Sequence, residues 1–188
     1  FDETVRRLND TGHGRYLGRF KGDDRILAIT VSGQYQLFPF VLSTHVPDDT
    51  LTVVKWNPKD TVSAVYWEGE KQQMTVKRFV IEEPSRDPVS FITEHPESKL
   101  VLHSLVPDPV IHVAYDKRSV NKEDEDMVVK DLIAVKGVKA IGNRLTPHKV
   151  KEITLTTPVF IPMTPEIEEM QQMLITEDEI GNLEAPEE

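Results

Sequence analysis

The sequence contains no cysteine, no long apolar run and no Lys or Arg between Met163 and Glu188. Without cysteine the chain can form no disulfide framework, thiolate metal site or cysteine nucleophile, and this composition fits a reducing cytosol. No apolar stretch approaches the ~18 residues that a membrane span needs, and no signal-like segment is visible. We therefore expect a cytoplasmic protein that does not bind membranes.

The net charge of −10 is distributed unevenly along the chain. Nine acidic residues lie between Met163 and Glu188, which leaves residues 1–162 at about −1. Within this body, Met127–Lys151 is basic, because six Lys or Arg residues stand against Asp131 alone. We predict two parts: a folded domain over 1–162 and an acidic tail over 163–188.

Short segments of alternating or β-branched apolar residues, bounded by Gly, Pro, Asp and Asn, predict β-strands. They lie at Arg25–Thr30, Gln34–Phe40, Thr61–Trp67, Met74–Ile81, Lys99–Leu105, Val110–Tyr115, Asp131–Lys136 and Val150–Thr156. Thirteen prolines disfavour long helices in the body. Only Thr164–Ile175 is predicted to be helical, with Thr164 as a cap, and a disordered end is expected from Thr176.

The strands also contain a repeat. Each unit begins with a polar turn and an apolar strand, and the units start at Asp24, Asp60, Ser98 and Lys130 or Asp131, separated by 36, 38 and 32 or 33 residues. A second strand follows a turn that contains Gly33, Gly69, Pro107–Pro109 or Gly137. This pattern is typical of propeller-like blades, which bury their apolar faces by stacking. A β-sandwich with evenly spaced strands is the alternative.

Catalytic and metal-binding patterns do not occur in the sequence. The six histidines form no His-x-x-x-His pair, and His103 and His112, which could face each other across the third unit's hairpin, are too few for zinc. No Gly-x-Ser-x-Gly elbow is present, and the Lys136–Arg144 stretch lacks the order of a phosphate-binding loop, so a hairpin turn is expected there. We predict no catalytic residue and no metal site.

Two stretches carry a resemblance to a known family. Residues 14–34, with an acidic turn, an apolar strand and Thr30-Val31-Ser32-Gly33, resemble a blade of the C-terminal domain that gyrase and topoisomerase IV carry on their DNA-cleaving subunits. Residues 131–145 resemble the final blade of this domain in topoisomerase IV of one bacterial branch. The resemblance covers roughly Asp10–Thr157. It implies an all-β β-pinwheel, a propeller variant whose blades exchange strands and whose outer rim holds DNA.

The departures from that family refine the expectation. The nearest match to the gyrase signature box, Arg15–Gly22, lacks paired glycines, which favours a topoisomerase IV type of domain over gyrase-type wrapping. About four units are visible, fewer than a closed ring in most relatives, so an open or truncated arc is expected. The family's catalytic tyrosine lies in a domain that is absent here. The resemblance therefore implies a non-catalytic fragment without a cofactor of its own.

The resemblance further implies double-stranded DNA as a partner, together with the remainder of the DNA-cleaving subunit in a heterotetramer with an ATPase subunit. ATP and Mg²⁺ would act elsewhere in that enzyme. Phosphates are contacted by Lys and Arg in turns beside strands. The candidate contacts are Arg15, Arg19, Lys21, Arg25, Lys77, Arg78, Lys117, Arg118, Lys136, Lys139, Arg144, Lys149 and Lys151.

Two alternatives remain open at this stage. The basic residues could simply be the solvated faces of edge strands, and the chain could be a propeller-like module that binds protein through its acidic tail. The tail itself could be an inert solubilising end or an electrostatic brake that competes with DNA for the basic rim.

Overall fold

Three antiparallel sheets and a C-terminal helix make up this computed structural model, which describes residues 1–82 and 85–181. The strands are β1 Arg25–Thr30, β2 Gln34–Pro39, β3 Thr50–Lys55, β4 Thr61–Glu68, β5 Gln73–Val80, β6 Val89–Ser90, β7 Lys99–Ser104, β8 Val110–Tyr115, β9 Glu125–Val128, β10 Asn143–Arg144 and β11 Val150–Leu155. The helices are α1 Val129–Leu132 and α2 Pro165–Gly181. No helix among these residues is long and apolar enough to cross a membrane.

Each sheet is built on one hairpin. The strand orders are β3-β1-β2-β6 in sheet 1, β7-β4-β5-β10 in sheet 2 and β11-β8-β9 in sheet 3. In every sheet a later strand returns to pair with the first strand of the hairpin. In sheets 1 and 2 a two-residue strand from beyond the next hairpin pairs with the second strand. Neighbouring units therefore exchange strands, as the pinwheel expectation requires.

The tight turns explain where the chain reverses. Gly33 has a φ of 76° and ends the turn after β1, and an added Cβ there would lie 2.8 Å from Ile92. After β4 the buried Glu68 carboxylate accepts hydrogen bonds from the backbone N–H of Glu70 at 3.2 Å and of Lys71 at 2.7 Å. Tight turns commonly use glycine, which adopts a positive φ easily, and side-chain oxygens that accept hydrogen bonds from the turn's backbone N–H groups.

Three apolar cores follow one another along the stack of sheets, and the middle one is shared by sheet 1 and sheet 2. The first lies between the N-terminal segment and sheet 1, the second between sheets 1 and 2, and the third between sheets 2 and 3. β1 and β4 are consequently buried on both faces, whereas β8 alternates between buried and half-buried positions. Burial of each large apolar side chain contributes about 1.5–3 kcal/mol. Sheet 3 is thus the end of the stack within the described residues.

Most of the predicted strands are confirmed. β1 and β8 have the predicted bounds, and five others differ by one residue at one or both ends. The strand predicted at Asp131–Lys136 is wrong, because helix α1 and irregular chain occupy this stretch. Val129 and Ile133 lie four residues apart and both enter the core between sheets 2 and 3, a spacing that fits a helical turn. Val135, which an alternating strand would have buried together with Ile133, is 44% exposed.

The predicted third unit is out of phase with the structure. The strand after Ser98 is β7, which pairs with β4 and returns to sheet 2, so it corresponds to β3 and opens no new sheet. Pro107–Pro109 therefore connects two sheets and is not a hairpin turn. Sequence periodicity cannot separate a return strand from a first strand, since both bury apolar residues. The four predicted units correspond to three sheets in the described residues.

Helix α2 begins as predicted and extends further than predicted. The backbone N–H of Ile167 donates to Thr164 Oγ1 at 3.2 Å, which confirms Thr164 as the cap. The helix continues through Gly181, so the disordered end expected from Thr176 is wrong over 176–181. The remainder of that predicted end, 182–188, lies outside the described residues. The boundary at Pro162 stays a prediction.

Candidate nucleic-acid interface

The thirteen predicted contact residues fall into three groups, one beside each sheet. The group at sheet 1 contains Arg15, Arg19, Lys21 and Arg25. The group along the edge of β5 in sheet 2 contains Lys77, Arg78, Lys136, Lys139 and Arg144. The group at sheet 3 contains Lys117, Arg118, Lys149 and Lys151, and we call it the sheet-3 cleft.

The sheet-3 cleft brings together residues that are far apart in sequence. β8 ends at Tyr115 and β11 begins at Val150, and these two residues pair in the antiparallel ladder. Lys117 and Arg118 follow β8, while Lys149 and Lys151 flank the start of β11, so the four side chains line one concavity of about 570 Å³. The register of two strands thus concentrates positive charge at one end of the molecule.

Two carboxylates position the cations of the cleft. Asp116 Oδ1 accepts from Arg118 Nε at 3.2 Å, and its Oδ2 lies 3.5 Å from Lys149 Nζ. Hydrogen bonds from Arg118 lower the pKa of Asp116 to about 2. Asp124 accepts from Lys117 Nζ at 2.7 Å, and this bond holds the pKa of Asp124 below its usual value. Four cations against two carboxylates leave the cleft positive.

The cations of the cleft remain accessible to a ligand. The side chains of Arg118 and Lys149 are 91% and 67% exposed, although both interact with Asp116. Lys151 is also exposed. Exposed Lys and Arg beside a concave surface are suited to phosphate oxygens, which bind without regard to base sequence. The cleft is the best-formed part of the predicted interface.

Lys77 does not belong to the interface, and its prediction as a contact is wrong. It is 3% exposed, and its Nζ donates to the carbonyls of Val138 at 2.6 Å and Ala140 at 2.7 Å. Burial lowers the pKa of Lys77 to about 8. The alternation of side chains along β5 indicated that Lys77 is buried, because Lys77 shares a face with Thr75 and Phe79, which are both fully buried.

Of the other candidate contacts at β5, one is engaged in a contact within the fold and three are exposed. Arg78 is half-buried, and its Nη1 donates to the Ile133 carbonyl at 3.4 Å. Lys136, Lys139 and Arg144 are exposed on the segment that lies along β5. The hairpin turn predicted within this segment is wrong, because Lys136 and Arg144 each pair with β5. Three exposed cations nevertheless remain beside sheet 2.

In the sheet-1 group, two arginines mainly stabilise the fold. Arg15 is half-buried, donates from Nη2 to the Val53 carbonyl at 2.6 Å and lies 4.9 Å from the Phe160 ring centre. Arg25 donates to the carbonyl of Asp23 at 3.0 Å. Lys21 is exposed, and the side chain of Arg19 is 61% exposed. Only these last two present their charge openly.

Helix α2 contacts the sheet-1 group through Glu168, a residue that the sequence did not identify. The Glu168 carboxylate accepts from Tyr16 Oη at 2.6 Å and from the Arg19 backbone N–H at 2.7 Å, and it lies 3.9 Å from Arg19 Nε. Burial opposes its ionisation, but these hydrogen bonds outweigh burial and hold the pKa of Glu168 below its usual value. As one of nine acids in the predicted tail, Glu168 gave no distinguishing signal.

The histidines do not meet as a pair. His103 Nε2 is hydrogen-bonded to Thr52 Oγ1 at 2.8 Å between sheets 2 and 1, whereas His112 Nδ1 is 2.7 Å from Asp126 Oδ1 in sheet 3. Their predicted proximity is wrong, because β7 and β8 belong to different sheets. Across residues 1–82 and 85–181 no three His, Asp or Glu side chains are grouped closely enough to hold a metal ion.

Comparison with known proteins agrees with this architecture. Residues 7–157 match the family model of the topoisomerase C-terminal domain, Bacteroidota. A solved structure described as the C-terminal domain of DNA topoisomerase IV superposes with a TM-score of 0.52 at 14% identity, over 83% of this chain and 54% of that one. This chain thus spans about half of that structure, and at this identity the match shows a shared fold. No curated protein matches the sequence significantly.

The β-pinwheel architecture expected from the sequence is therefore confirmed, with three sheets and a C-terminal helix in the part of the chain that the structure describes. The family match extends over most of the folded body, from the N-terminal segment through β11. The chain belongs to the bacterial topoisomerase C-terminal domain family found in Bacteroidota.

Proposed function

We propose that this domain binds and bends duplex DNA as a non-catalytic part of the DNA-cleaving subunit in a topoisomerase IV-like enzyme, and so positions a segment for strand passage. Membership of the family gives the domain a role in a topoisomerase. The observation that supports a DNA contact most directly is the sheet-3 cleft, with four accessible cations in one concavity. Exposed cations at sheets 1 and 2 would extend this contact along the stack.

The mechanism that we propose is electrostatic. Lys and Arg side chains neutralise backbone phosphates and release counterions, so affinity is largely independent of base sequence and falls with salt. A duplex that contacts cations on successive sheets would be held along the stack. In the complete heterotetrameric enzyme, ATP hydrolysis by the ATPase subunit, together with Mg²⁺, would belong to other parts, and the enzyme would act on the nucleoid in the cytoplasm.

A salt series on the full chain tests this proposal. We expect log affinity for a duplex to fall linearly with log salt, with a slope of about −0.9 per phosphate neutralised. The double variant Lys149→Ala/Lys151→Ala should weaken binding and reduce the magnitude of the slope by up to about 1.8, the contribution of two phosphate contacts. Lys59→Ala, an exposed lysine between β3 and β4, serves as the matched control and should leave both quantities unchanged. Absence of binding at low salt would contradict the proposal.

A protein-interaction module is the second candidate, and helix α2 supports it. The helix is acidic, yet Met170, Met173 and Leu174 are 60–65% exposed along one side of it. An apolar helix face with this spacing commonly enters a groove on a partner. Failure of the chain to bind DNA in the salt series would favour this function.

The contact of Glu168 with Arg19 bears on the role of the tail. A Glu168→Gln variant in the same salt series distinguishes an inert tail from a tail that competes with DNA for the basic residues. Tighter DNA binding would support competition between α2 and DNA for Arg19, and unchanged affinity would support an inert tail.

A further inference from the structure

An exposed apolar turn follows β2 of sheet 1. After β2 the residues Phe40, Val41 and Leu42 are 37%, 56% and 48% exposed. They lead into a β-turn in which the Thr44 backbone N–H donates to the Val41 carbonyl at 3.1 Å, and Leu42 is the first of the two central residues. Ser43, the second, has a φ of 65°, a conformation that non-glycine residues adopt at an energetic cost.

The N-terminal segment fixes this turn in place. The backbone N–H of Ser43 donates to the Leu8 carbonyl at 3.1 Å, and the N–H of Leu8 donates to the Thr44 carbonyl at 3.3 Å. Arg7 Nη1 donates to the Ser43 carbonyl at 2.8 Å. Because three hydrogen bonds with Arg7 and Leu8 hold this backbone, the exposure of three consecutive apolar side chains is a built feature of the fold.

An aromatic stack supports the base of the turn. The rings of Phe20 and Phe40 are stacked, with centroids 4.6 Å apart and an interplanar angle of 17°. Lys55 Nζ lies 5.3 Å from the centre of the Phe20 ring. The stack leaves Val41 and Leu42 as the outermost apolar groups. We call Phe40–Leu42 the apolar turn.

Two exposed cations, Arg7 and Lys21, flank the apolar turn. Two further cations nearby, Arg6 and Lys55, are paired with Asp48 and Asp24. Arg7 contacts the turn directly, and exposed Lys21 adjoins Phe20. An apolar tip flanked by cations is complementary to a polyanion that can open an apolar gap, as duplex DNA does between base pairs.

We propose that the apolar turn is a wedge that inserts Leu42, supported by Val41 and Phe40, between two base pairs of the bound duplex. Apolar side chains that enter a base step partly unstack it and kink the helix axis, while neighbouring Lys and Arg hold the phosphates. A preformed backbone reduces the ordering cost of insertion. The inference rests on the proposed function and deepens it, because it assigns the bend to a residue distinct from the sheet-3 cleft.

The experiment compares Leu42→Ala with Leu51→Ala in the full chain. Leu51 is a leucine of sheet 1 with similar exposure, 54% against 48%, and it lies outside the apolar turn. Bending is measured by energy transfer between dyes at the two ends of a short duplex, and unstacking by 2-aminopurine fluorescence. Thermal unfolding verifies that both variants remain folded. Leu42→Met, which retains an apolar tip, is the conservative variant.

We expect Leu42→Ala to lose most of the bend and of the 2-aminopurine signal, with an unchanged salt slope because no phosphate contact is removed. Leu51→Ala and Leu42→Met should behave as the original chain. Equal bending by Leu42→Ala and Leu51→Ala, or binding to DNA without any bend, would overturn the wedge and leave DNA binding intact. No DNA binding by the original chain would overturn both proposals. Binding to anionic phosphatidylserine vesicles that Leu42→Ala alone abolishes, with DNA bending unaffected, would show the turn to be a membrane contact.

Discussion

Sheet 2 and sheet 3 share a hairpin-based design, but Lys77 of sheet 2 and Lys149 and Lys151 of sheet 3 lie in opposite surroundings. Sheet 2 lies between two neighbours, so β4 is buried on both faces and Lys77 of β5 directs its ammonium to the carbonyls of Val138 and Ala140. Within residues 1–82 and 85–181, sheet 3 has a neighbour on one face only, and its Lys149 and Lys151 stand at the exposed rim. A lysine that is covered by other parts of the chain, as Lys77 is, stabilises the fold, whereas a lysine at the exposed rim is available to a ligand.

The largest difference that we expect between the two sheets is in stability. Lys77→Ala would remove the donor to the carbonyls of the half-buried Val138 and Ala140 and leave a gap beside Phe79, so the free energy of unfolding should fall by about 3 kcal/mol. Lys151→Ala in sheet 3 should change it by less than about 0.5 kcal/mol. Denaturant unfolding of the two variants measures both values. Similar losses from the two substitutions would break the contrast between the sheets.

The next effect concerns pH and the interface of sheets 1 and 2. Burial lowers the pKa of His103 from 6.5 to about 4, so the unfolded chain takes up the proton at a higher pH than the folded one. The stability due to neutral His103 is complete above its unfolded pKa and is lost as the pH falls toward 4. We expect a loss of about 2 kcal/mol by about pH 5, seen in denaturant unfolding at several pH values. His103→Gln should flatten this part of the profile, and an unaltered profile would contradict the assignment.

The smallest effect sharpens the comparison at the sheet-3 cleft. Asp116→Asn removes the negative charge that Arg118 and Lys149 share, so both cations become more attractive to phosphate. We expect affinity for a duplex at moderate salt to rise by about fivefold, in keeping with the modest strength of exposed charge pairs. Fluorescence anisotropy with a labelled duplex measures this change. Weaker binding would indicate that Asp116 is needed to position the two cations.

The sequence predicted the strands well where a short apolar or alternating run is bounded by turn residues, as at β1, β4 and β8. The strand predicted over 131–136 was wrong, because the four consecutive apolar residues 132–135 are compatible with a strand and also with the helical turn that buries Val129 and Ile133. Its candidate contacts included the four residues that line the sheet-3 cleft, which stay predicted contacts, and also Lys77, which is buried. A lysine in a strand carries no local mark of burial unless its same-face neighbours, Thr75 and Phe79, are considered together with a second covering sheet.

What the sequence by itself determined is the part of the fold that short-range patterns encode. Alternating apolar residues set the faces of the strands, glycine and acidic turns set the reversals, and Thr164 set the start of α2. The tertiary structure decided which strands share a sheet, and this pairing places Lys117 and Lys149 in one cleft. Tertiary packing also decided the contact of Glu168 with Arg19 and the stacking of Phe20 on Phe40. The physical reason is that strand exchange and packing between sheets join residues far apart in the chain, and no local periodicity specifies those pairings.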